Sequence, residues 1–386
     1  MPSNAWSTPP RVWSFSALRD ARECPRRWAL TRLARRAGAA VHANGTPRTG
    51  GAGLGKLRGR VCHKALEVML AAHADAGGPA WGTIELTRLW KARFPRGVIG
   101  LVRDLAREEV ARADTVDALG RRRLESAVDE GLASMARTVT ALLDLTFAPC
   151  EGTEGPTHVD PEVEVRTALV PGQHWEGTID AVVRRGDHVT LVDYKTGAPS
   201  EADHEQLKLY ACLYAAWPRA EGVVRRLAVL YADGSADRRD APVGDALTAA
   251  AAAFSRDAST SEARIQADPP EASPNPDRCG RCGVRGRCDA YWQASAAWTS
   301  SLGAPQRRDF EGVVLEVLAA GEALRMRGGE GDVVVRTAGR DLTTGVRVVG
   351  TRIRVLGARS IERMAEHEDE PEVTSLEALS IEATES

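Results

Sequence analysis

The spacing of hydrophobic residues along the chain changes at about residue 161. Before that point, apolar residues recur at intervals of three and four from Arg58 to about His73 and again over 81–147, which is typical of amphipathic helices. From Pro161 the period becomes two, which predicts strands in the segments EVEVRTAL, WEGTIDAVVR and HVTLVDYK. Later segments predict a helix over 202–217, a strand over 225–232 and a helix over 247–255. This order of elements indicates the α/β class.

A second group of short strands is expected beyond Trp298. Four apolar segments separated by glycine-bearing turns, from GVVLEVL to VRVVGTRIRVLGAR, predict a small separate β-barrel of the OB type. Residues 362–386 carry nine acidic residues against Arg363 alone, which is typical of a solvated, disordered tail. The expected domains are an N-terminal helical region with a flexible connector (1–57), a helical subdomain (58–160), the central sheet with a cysteine cluster (161–298), the barrel (299–361) and the tail (362–386).

The formal net charge of −2 conceals an uneven distribution of charge. Residues 11–36 contain eight arginines against two acidic residues, which suits contact with nucleic acid phosphates but is also the composition of a solvated helix face. No stretch of 18 or more apolar residues occurs, and the first residues lack an apolar signal segment. We therefore expect no membrane span and a cytoplasmic location.

A two-residue turn at Gly186–Asp187 would join the second and third of these strands. Glycine at the first central position suits a type II′ turn, and cross-strand partners would then have residue numbers that sum to 373. Asp180 and Asp193 would face each other with their Cβ atoms about 4.5–5.5 Å apart. Lys195, two residues beyond Asp193, would project from the same face of the sheet.

Two facing carboxylates repel each other unless a divalent cation lies between them. Carboxylate oxygens are the ligands that Mg²⁺ and Mn²⁺ prefer, and Lys195 could orient or deprotonate an attacking water. The alternative is a surface ion pair of the acids with Lys195 at a polar sheet edge. The neighbouring residues make both strands apolar on both faces, as in central strands: Ile179, Val182, Val183, Leu191 and Val192.

Three cysteines lie within ten residues of one another. Cys279, Cys282 and Cys288 form the spacing C-x2-C-x5-C, in which thiolates hold Zn²⁺ or an iron–sulfur cluster. Structural zinc is the commoner use of such a triplet, and three ligands leave one position open. Of the other cysteines, three are expected to be buried core thiols: Cys62, Cys150 and Cys212.

Six motifs resemble the RecB-like branch of the PD-(D/E)XK nuclease superfamily, and in particular its iron–sulfur members. Those members are the nuclease domains of AddB-type helicase–nucleases and the CRISPR-associated RecB-like exonucleases. The motifs occur in the family's order between Ser14 and Cys288. They are Ser14-Phe-Ser-Ala-Leu with Cys24-Pro-Arg-Arg-Trp28, Gly59-Arg-Val-Cys-His63, Gly177-Thr-Ile-Asp180, Asp193-Tyr-Lys195-Thr-Gly197, Gln206-Leu-Lys-Leu-Tyr210 and the cysteine triplet.

The resemblance implies a restriction-endonuclease-like core, which is a mixed central sheet flanked by helices, with a helical insertion. It implies that Asp180, Asp193 and His63 bind metal and that Lys195 is the catalytic lysine. The helix motif with Gln206 and Tyr210 would position DNA or that lysine, and Glu164 is a further candidate acid. It also supplies Cys24 as a fourth cysteine, so that the implied cofactor is a [4Fe–4S] cluster in place of structural zinc.

The implied function is a Mg²⁺- or Mn²⁺-dependent DNA nuclease, acting as an exonuclease or end-processing enzyme on single strands or free ends in recombination, repair or phage defence. The expected partner is a helicase, or another recombination or defence protein, on a separate chain. The OB-like barrel would be a second single-strand-binding surface. The alternative is a non-catalytic subunit that binds or scaffolds DNA ends in a helicase–nuclease complex. The acids and the lysine are all present, which favours the enzyme.

Overall fold

The structure is a computed structural model that describes residues 6, 8–36, 52–80, 82–112, 118–148, 158–295, 308–318, 323–328, 331–336, 349, 351–364, 373–377 and 380–383. The chain divides into two compact units. The sheet unit comprises residues 10–18 and 48–260, and the cysteine–barrel unit comprises residues 1–9, 19–47 and 261–386. Among the described residues, no helix is both long enough and apolar enough to span a membrane.

The helices and strands predicted up to residue 266 occur in the predicted order, mostly with different ends, and two short strands at 12–13 and 236–240 were not predicted. They are β1 (Val12–Trp13), α1 (Phe15–Glu23), α2 (Pro25–Arg36), α3 (Ala52–Asp75), α4 (Ile84–Arg93), α5 (Gly97–Ala111), α6 (Ala118–Phe147), β2 (His158–Val170), β3 (Gln173–Arg185), β4 (His188–Lys195), α7 (Glu201–Ala216), β5 (Val223–Tyr231), β6 (Ala236–Asp240) and α8 (Asp245–Gln266). Helix α3 begins inside the expected connector, and residues 37–51 of that connector lie outside the described residues.

The sheet unit is built on a mixed sheet whose central strands are β3 and β4, which confirms the predicted class and core. Strand β2 pairs antiparallel with β3 along its length. On the other edge of β3, the short parallel strand β1 pairs near Trp175 and β4 pairs antiparallel from Ala181 to Arg185. Strand β5 then pairs parallel with β4, and β6 pairs antiparallel with β5. Among the described residues, the part of β3 between Trp175 and Ala181 therefore has no partner strand on this edge.

Helices of the insertion cover one face of this sheet. Buried residues of α3, α5 and α6 form one core with Ala181 and Val183 of β3 and with Val192 and Tyr194 of β4. Side chains alternate between the two faces of a strand, so Asp193 and Lys195 project from the face opposite to Val192 and Tyr194. The insertion thus supports the strands that carry the candidate catalytic residues.

The cysteine–barrel unit contains α2, the cysteine segment (residues 276–295) and a second sheet. Its later elements are α9 (Pro276–Cys279), a 3₁₀ turn (Arg285–Arg287), α10 (Asp289–Ser295), β7 (Arg308–Leu318), β8 (Ala323–Gly328), β9 (Gly331–Arg336), β10 (Arg352–Met364), β11 (Val373–Glu377) and β12 (Ser380–Ala383). Strands pair in the order β11-β9-β8-β7-β10, and the pairing of β10 with β11 closes the sheet into a barrel. This strand order, with β9 and β11 parallel, is that of an OB fold.

The acidic end of the chain contributes strands, in contrast to the disordered tail expected from its charge. Strand β11 lies between β9 and β10, and β12 pairs with the first half of β10. Within the acidic end of the chain, β11 therefore closes the barrel, and β12 adds a further pairing to β10. Residues 365–372, 378–379 and 384–386 lie outside the described residues.

The cysteine segment groups with the barrel, although we expected it to belong to the central α/β domain. The buried Arg285 guanidinium lies 2.5 Å from Asp309 of β7, and Tyr291 donates a 2.8 Å hydrogen bond to the same carboxylate. Arg354 of β10 donates hydrogen bonds to the carbonyl of Gly286 at 3.0 Å and to Asp289 at 2.9 Å. Hydrogen-bonded buried ion pairs hold specific geometries, so these contacts join residues 285–291 to the barrel.

Candidate active site

The register of the β3–β4 hairpin is the one that the turn predicts. Ala181 pairs with Val192 and Arg185 with His188, and both pairs sum to 373. Gly186 has a φ of 57° and Asp187 has no positive φ, as a type II′ turn requires. The ladder ends at Ala181 and Val192, one position before Asp180 and Asp193. The two acids therefore lie where the two strands separate.

At this separation the Asp180 side chain makes the hydrogen bond that a neighbouring strand would otherwise make. Its Oδ2 accepts a 2.7 Å hydrogen bond from the backbone N–H of Tyr194, a group for which β3 supplies no carbonyl. The same oxygen lies 3.5 Å from Nδ1 of His63 on α3. Burial lowers the pKa of His63, but the hydrogen bond and charge of Asp180 outweigh this effect, so that the pKa is raised overall. His63, expected from its motif, is thus brought to Asp180.

Glu162 completes this group and was missed by the sequence analysis. The potential metal-ligating atoms of His63, Glu162 and Asp180 lie within 4.8 Å of one another. Glu162 lies between the pairs Pro161–Ala181 and Val163–Ile179, hence opposite Asp180, and has a φ of 49°. A positive φ at a residue other than glycine costs free energy and is common at functional sites. Nothing in the repeating EVEV pattern distinguishes this residue.

Glu164, the acid proposed from the sequence, lies elsewhere. It pairs with Thr178, its side chain is exposed, and it is not part of the group that the described residues form. The register of β2 could not be derived across the turn at Pro171–Gly172, and a shift of two residues separates the two glutamates. Burial raises the pKa of Glu162, and the charge of Asp180 raises it further.

Asp193 is the most deeply buried acid of the site. Its exposed fraction is 2%, and its Oδ2 lies 2.7 Å from Nζ of Lys195. Burial raises the pKa of Asp193 to about 7, and the charge of Asp180 adds to that effect while Lys195 opposes it. Of the three expected ligands, His63 and Asp180 therefore belong to the group with Glu162, whereas Asp193 forms an ion pair with Lys195.

A chain of hydrogen bonds from α7 holds Lys195. Its Nζ donates to Oε1 of Gln206 at 3.2 Å, and Nε2 of Gln206 donates to the hydroxyl of Tyr210 at 2.9 Å. The ring of Tyr210 lies against Gly177, where an added Cβ would be 2.5 Å from Cε1. The glycine of the Gly-Thr-Ile-Asp motif thus leaves room for the tyrosine that supports this chain.

A second glycine permits the approach of the helix that carries His63. A Cβ on Gly59 would lie 3.0 Å from Oγ1 of Thr196, the residue after Lys195. Helix α3 can therefore pass close to the end of β4 at this point. The glycine-to-histidine spacing of Gly59 and His63 places the close approach one helical turn before the candidate ligand.

The four cysteines of the resemblance lie together in the cysteine–barrel unit. Cys24 occupies the break between α1 and α2, and Pro25 begins the second helix. Burial raises the pKa of the Cys282 thiol to about 11, with the neighbouring Cys24 and Cys288 adding to the shift. Burial likewise raises the pKa of Cys288, and Cys24 and Cys279 are the thiols beside it. Cys62 and Cys212 are buried core thiols as expected, and Cys150 lies outside the described residues.

The separating ends of β3 and β4 thus offer carboxylates and a lysine next to a histidine of α3, on a mixed sheet flanked by helices. The sequence profile of the PD-(D/E)XK nuclease superfamily matches residues 12–289, which is more than half of the chain. The protein therefore belongs to the PD-(D/E)XK nuclease superfamily, whose members are usually metal-dependent nucleases.

Solved structures that resemble the chain include the crystal structure of SSO0001. The two share 18% sequence identity, with a TM-score of 0.26, over 45% of this chain and 76% of that one. This similarity is too low to support an argument. A comparison with curated proteins found no match.

Proposed function

We propose that the protein is a Mg²⁺- or Mn²⁺-dependent deoxyribonuclease of the iron–sulfur RecB-like type. It would act on single-stranded DNA or free ends as an exonuclease or end-processing enzyme. The observation that carries the proposal is the group of His63, Glu162 and Asp180, whose ligand atoms lie within 4.8 Å of one another beside the Asp193–Lys195 pair. The alternative, a non-catalytic DNA-end-binding or scaffolding subunit, has no use for a positioned lysine next to this group.

The donor atoms fit a hard divalent cation. Carboxylates with one imidazole suit Mg²⁺ or Mn²⁺, and Asp193 adds a buried carboxylate beside Lys195. His63, Glu162, Asp180 and Asp193 would hold the cation. When bound, it supplies positive charge that stabilises the transition state at the scissile phosphate and makes water easier to deprotonate.

The chain's own residues would orient the attack. Lys195 is fixed between Asp193 and Gln206, so its ammonium group can hold the attacking water and donate to a phosphate oxygen without first losing rotamer freedom. Gln206 and Tyr210 maintain that orientation from α7. Asp193 holds the Nζ of Lys195 at 2.7 Å.

Four cysteines would hold a [4Fe–4S] cluster in the cysteine–barrel unit. The thiol of Cys288 lies beside those of Cys24 and Cys279, and the thiol of Cys282 lies beside those of Cys24 and Cys288. Four thiolates grouped in this way can hold such a cluster. Backbone N–H groups of Arg27 and Asn275 donate to the sulfurs of Cys24 and Cys279, each at 3.4 Å, as at iron–sulfur ligands.

Arginines of α2 provide a surface for the phosphates of DNA. Arg35 and Arg36 are exposed, and the pKa of Arg32 is lowered by burial and by the charges of these two neighbours. Bound phosphates would relieve that repulsion. A helicase or another recombination or defence protein on a separate chain would supply the DNA ends, and the OB barrel would provide a second single-strand contact.

Substitution of Lys195 tests the nuclease. We expect the anaerobically purified protein to degrade labelled single-stranded DNA in Mn²⁺ and Lys195→Ala to lose at least about 100-fold in rate, because general acid–base and electrostatic assistance is worth that much. Lys208→Ala is the matched control, since this lysine is exposed on the same helix as Gln206 and should leave the rate unchanged.

Two results would contradict the proposal. Cleavage at equal rates by the unsubstituted protein and Lys195→Ala would show that Lys195 has no catalytic role. DNA binding without cleavage by the unsubstituted protein, with its cluster intact, would favour the scaffolding subunit.

A further inference from the structure

Tyr194, between Asp193 and Lys195, is a fully buried residue whose hydroxyl contacts the helical insertion. Its Oη lies 2.9 Å from Oγ1 of Thr146 on α6. Thr146 donates its own proton to the carbonyl of Leu142 at 2.7 Å. A hydroxyl has a single proton, so Thr146 must accept from Tyr194. The hydrogen bonds therefore run in one direction, from Tyr194 to Thr146 to Leu142.

The end of α6 is itself held firmly. Arg185 of β3 donates to the carbonyl of Ala148 at 3.1 Å, and Arg238 of β6 donates to the carbonyl of Leu145 at 3.2 Å. These guanidinium groups satisfy carbonyls that the last turn of a helix leaves without partners. These contacts hold the end of α6, and with it Thr146, in place within the sheet unit.

The backbone and the ring of Tyr194 contact two candidate metal ligands. Its backbone N–H donates to Oδ2 of Asp180 at 2.7 Å. Its ring meets the imidazole of His63 edge to face, with 6.2 Å between the ring centroids. A rotation of the Tyr194 side chain would move the ring beside His63, and a displacement of the Tyr194 backbone would move the N–H that Asp180 accepts from.

We propose that Tyr194 is a positioning residue, anchored by its hydroxyl on Thr146, that holds the Asp180 carboxylate and the His63 imidazole in their metal-binding orientation. This inference rests on the proposed metal-dependent nuclease. Groups that hydrogen-bond to metal ligands affect affinity through orientation, and their loss typically costs 10–100-fold in metal affinity or activity. Helix α6 thereby acts on the cation site without contributing a ligand.

Removal of the hydroxyl isolates this role. Tyr194→Phe keeps the ring and the backbone N–H, and we expect it to weaken Mn²⁺ binding, measured by calorimetry and electron paramagnetic resonance, about tenfold. Thr146→Val should have the same effect, because valine fills the space but cannot accept the hydrogen bond. Thr146→Ser should bind Mn²⁺ as the unsubstituted protein does. Combining Tyr194→Phe with Thr146→Val should add little, since both remove one contact.

Tyr214→Phe is the matched control for stability. Tyr214 is also fully buried, and its hydroxyl donates a 2.9 Å hydrogen bond to the carbonyl of Glu221, far along the chain from any ligand. The Tyr214 hydroxyl also accepts from the backbone N–H of Glu221 at 3.3 Å, so Tyr214→Phe should lower the melting temperature at least as much as Tyr194→Phe does and leave Mn²⁺ affinity unchanged. DNA binding measured in Ca²⁺ should be the same for both variants, so that Tyr194→Phe alters kcat at low Mn²⁺ rather than KM.

The outcomes separate the two proposals. Equal Mn²⁺ affinity for Tyr194→Phe, Tyr214→Phe and the unsubstituted protein would overturn the positioning role and leave the nuclease standing. A similar loss of affinity in Tyr214→Phe would also overturn it, because the effect would then follow stability alone. An unsubstituted protein that neither binds Mn²⁺ nor cleaves DNA would overturn both.

Discussion

Asp193 is, at the scale of one residue, a buried acid whose ionisation costs free energy. Its pKa is raised to about 7, from an ordinary value of 3.8, chiefly by burial. The protein therefore loses stability as pH rises through this interval and the buried carboxylate ionises. Lys195 offsets only part of that cost, and the divalent cation that we propose would offset more while competing with the proton.

Gly177 is a residue whose role follows from the space around it. An added Cβ would lie 2.5 Å from the ring of Tyr210, which must then move and release Gln206 from Lys195. We expect Gly177→Ala to lower kcat by roughly 100-fold, because a misplacement near 1 Å has that effect on catalytic groups. Steady-state cleavage of single-stranded DNA, with the melting temperature measured in parallel, checks this expectation.

Gly197 provides the control for this substitution. It also belongs to a family motif, but an added Cβ meets nothing within 4 Å and its φ is not positive. Gly197→Ala should therefore leave kcat and the melting temperature nearly unchanged. Equal losses in both variants would show that the packing of Tyr210 on Gly177 does not support Lys195.

Strand β7 and the cysteine segment are joined, at the scale of elements, by the pair of Arg285 and Asp309. Both side chains are less than 10% exposed. Loss of one partner from a buried ion pair costs about 3–5 kcal/mol. We expect Arg285→Ala to reduce the free energy of unfolding by about 3 kcal/mol, at the low end because Tyr291 still donates to Asp309. Urea denaturation monitored by circular dichroism would measure the change.

Arg325→Ala is the comparison for this prediction. Arg325 of β8 is 43% exposed and forms surface pairs with Glu316 and Asp332, at 4.0 and 3.6 Å. Pairs of this kind contribute at most about 1 kcal/mol. A loss in Arg285→Ala no larger than that in Arg325→Ala would mean that the buried pair does not attach the barrel.

The cysteine cluster is a feature of the whole molecule, because Cys24 and the triplet at 279–288 are distant in sequence. We expect anaerobically purified protein to show broad visible absorbance and bound iron, both largely lost in Cys24→Ser, since each thiolate carries part of the cluster's binding free energy. Cys212→Ser replaces a buried thiol of the sheet unit and should retain both. Stoichiometric zinc without visible absorbance would contradict the iron–sulfur assignment.

Local patterns predicted a large part of this fold. Alternation predicted β4 at its observed ends, helical spacing predicted α7 to within one residue, and the two-residue turn predicted the register of the β3–β4 hairpin. Within a short segment, few conformations satisfy both the spacing of the hydrophobic residues and the turn. The strand β4, the helix α7 and the hairpin register can therefore be predicted from the segment alone. The barrel was expected from the same kind of pattern, and its OB order is observed.

Tertiary structure alone decided the contacts between distant segments. The sequence by itself determined the α/β class, the hairpin and, through the family motifs, the roles to expect for His63 and Lys195. Only the fold showed that Glu162 rather than Glu164 faces Asp180, that Tyr194 rests on Thr146, and that the acidic end completes the barrel. Each depends on a register or packing contact between residues far apart in sequence, and no local periodicity fixes such a contact.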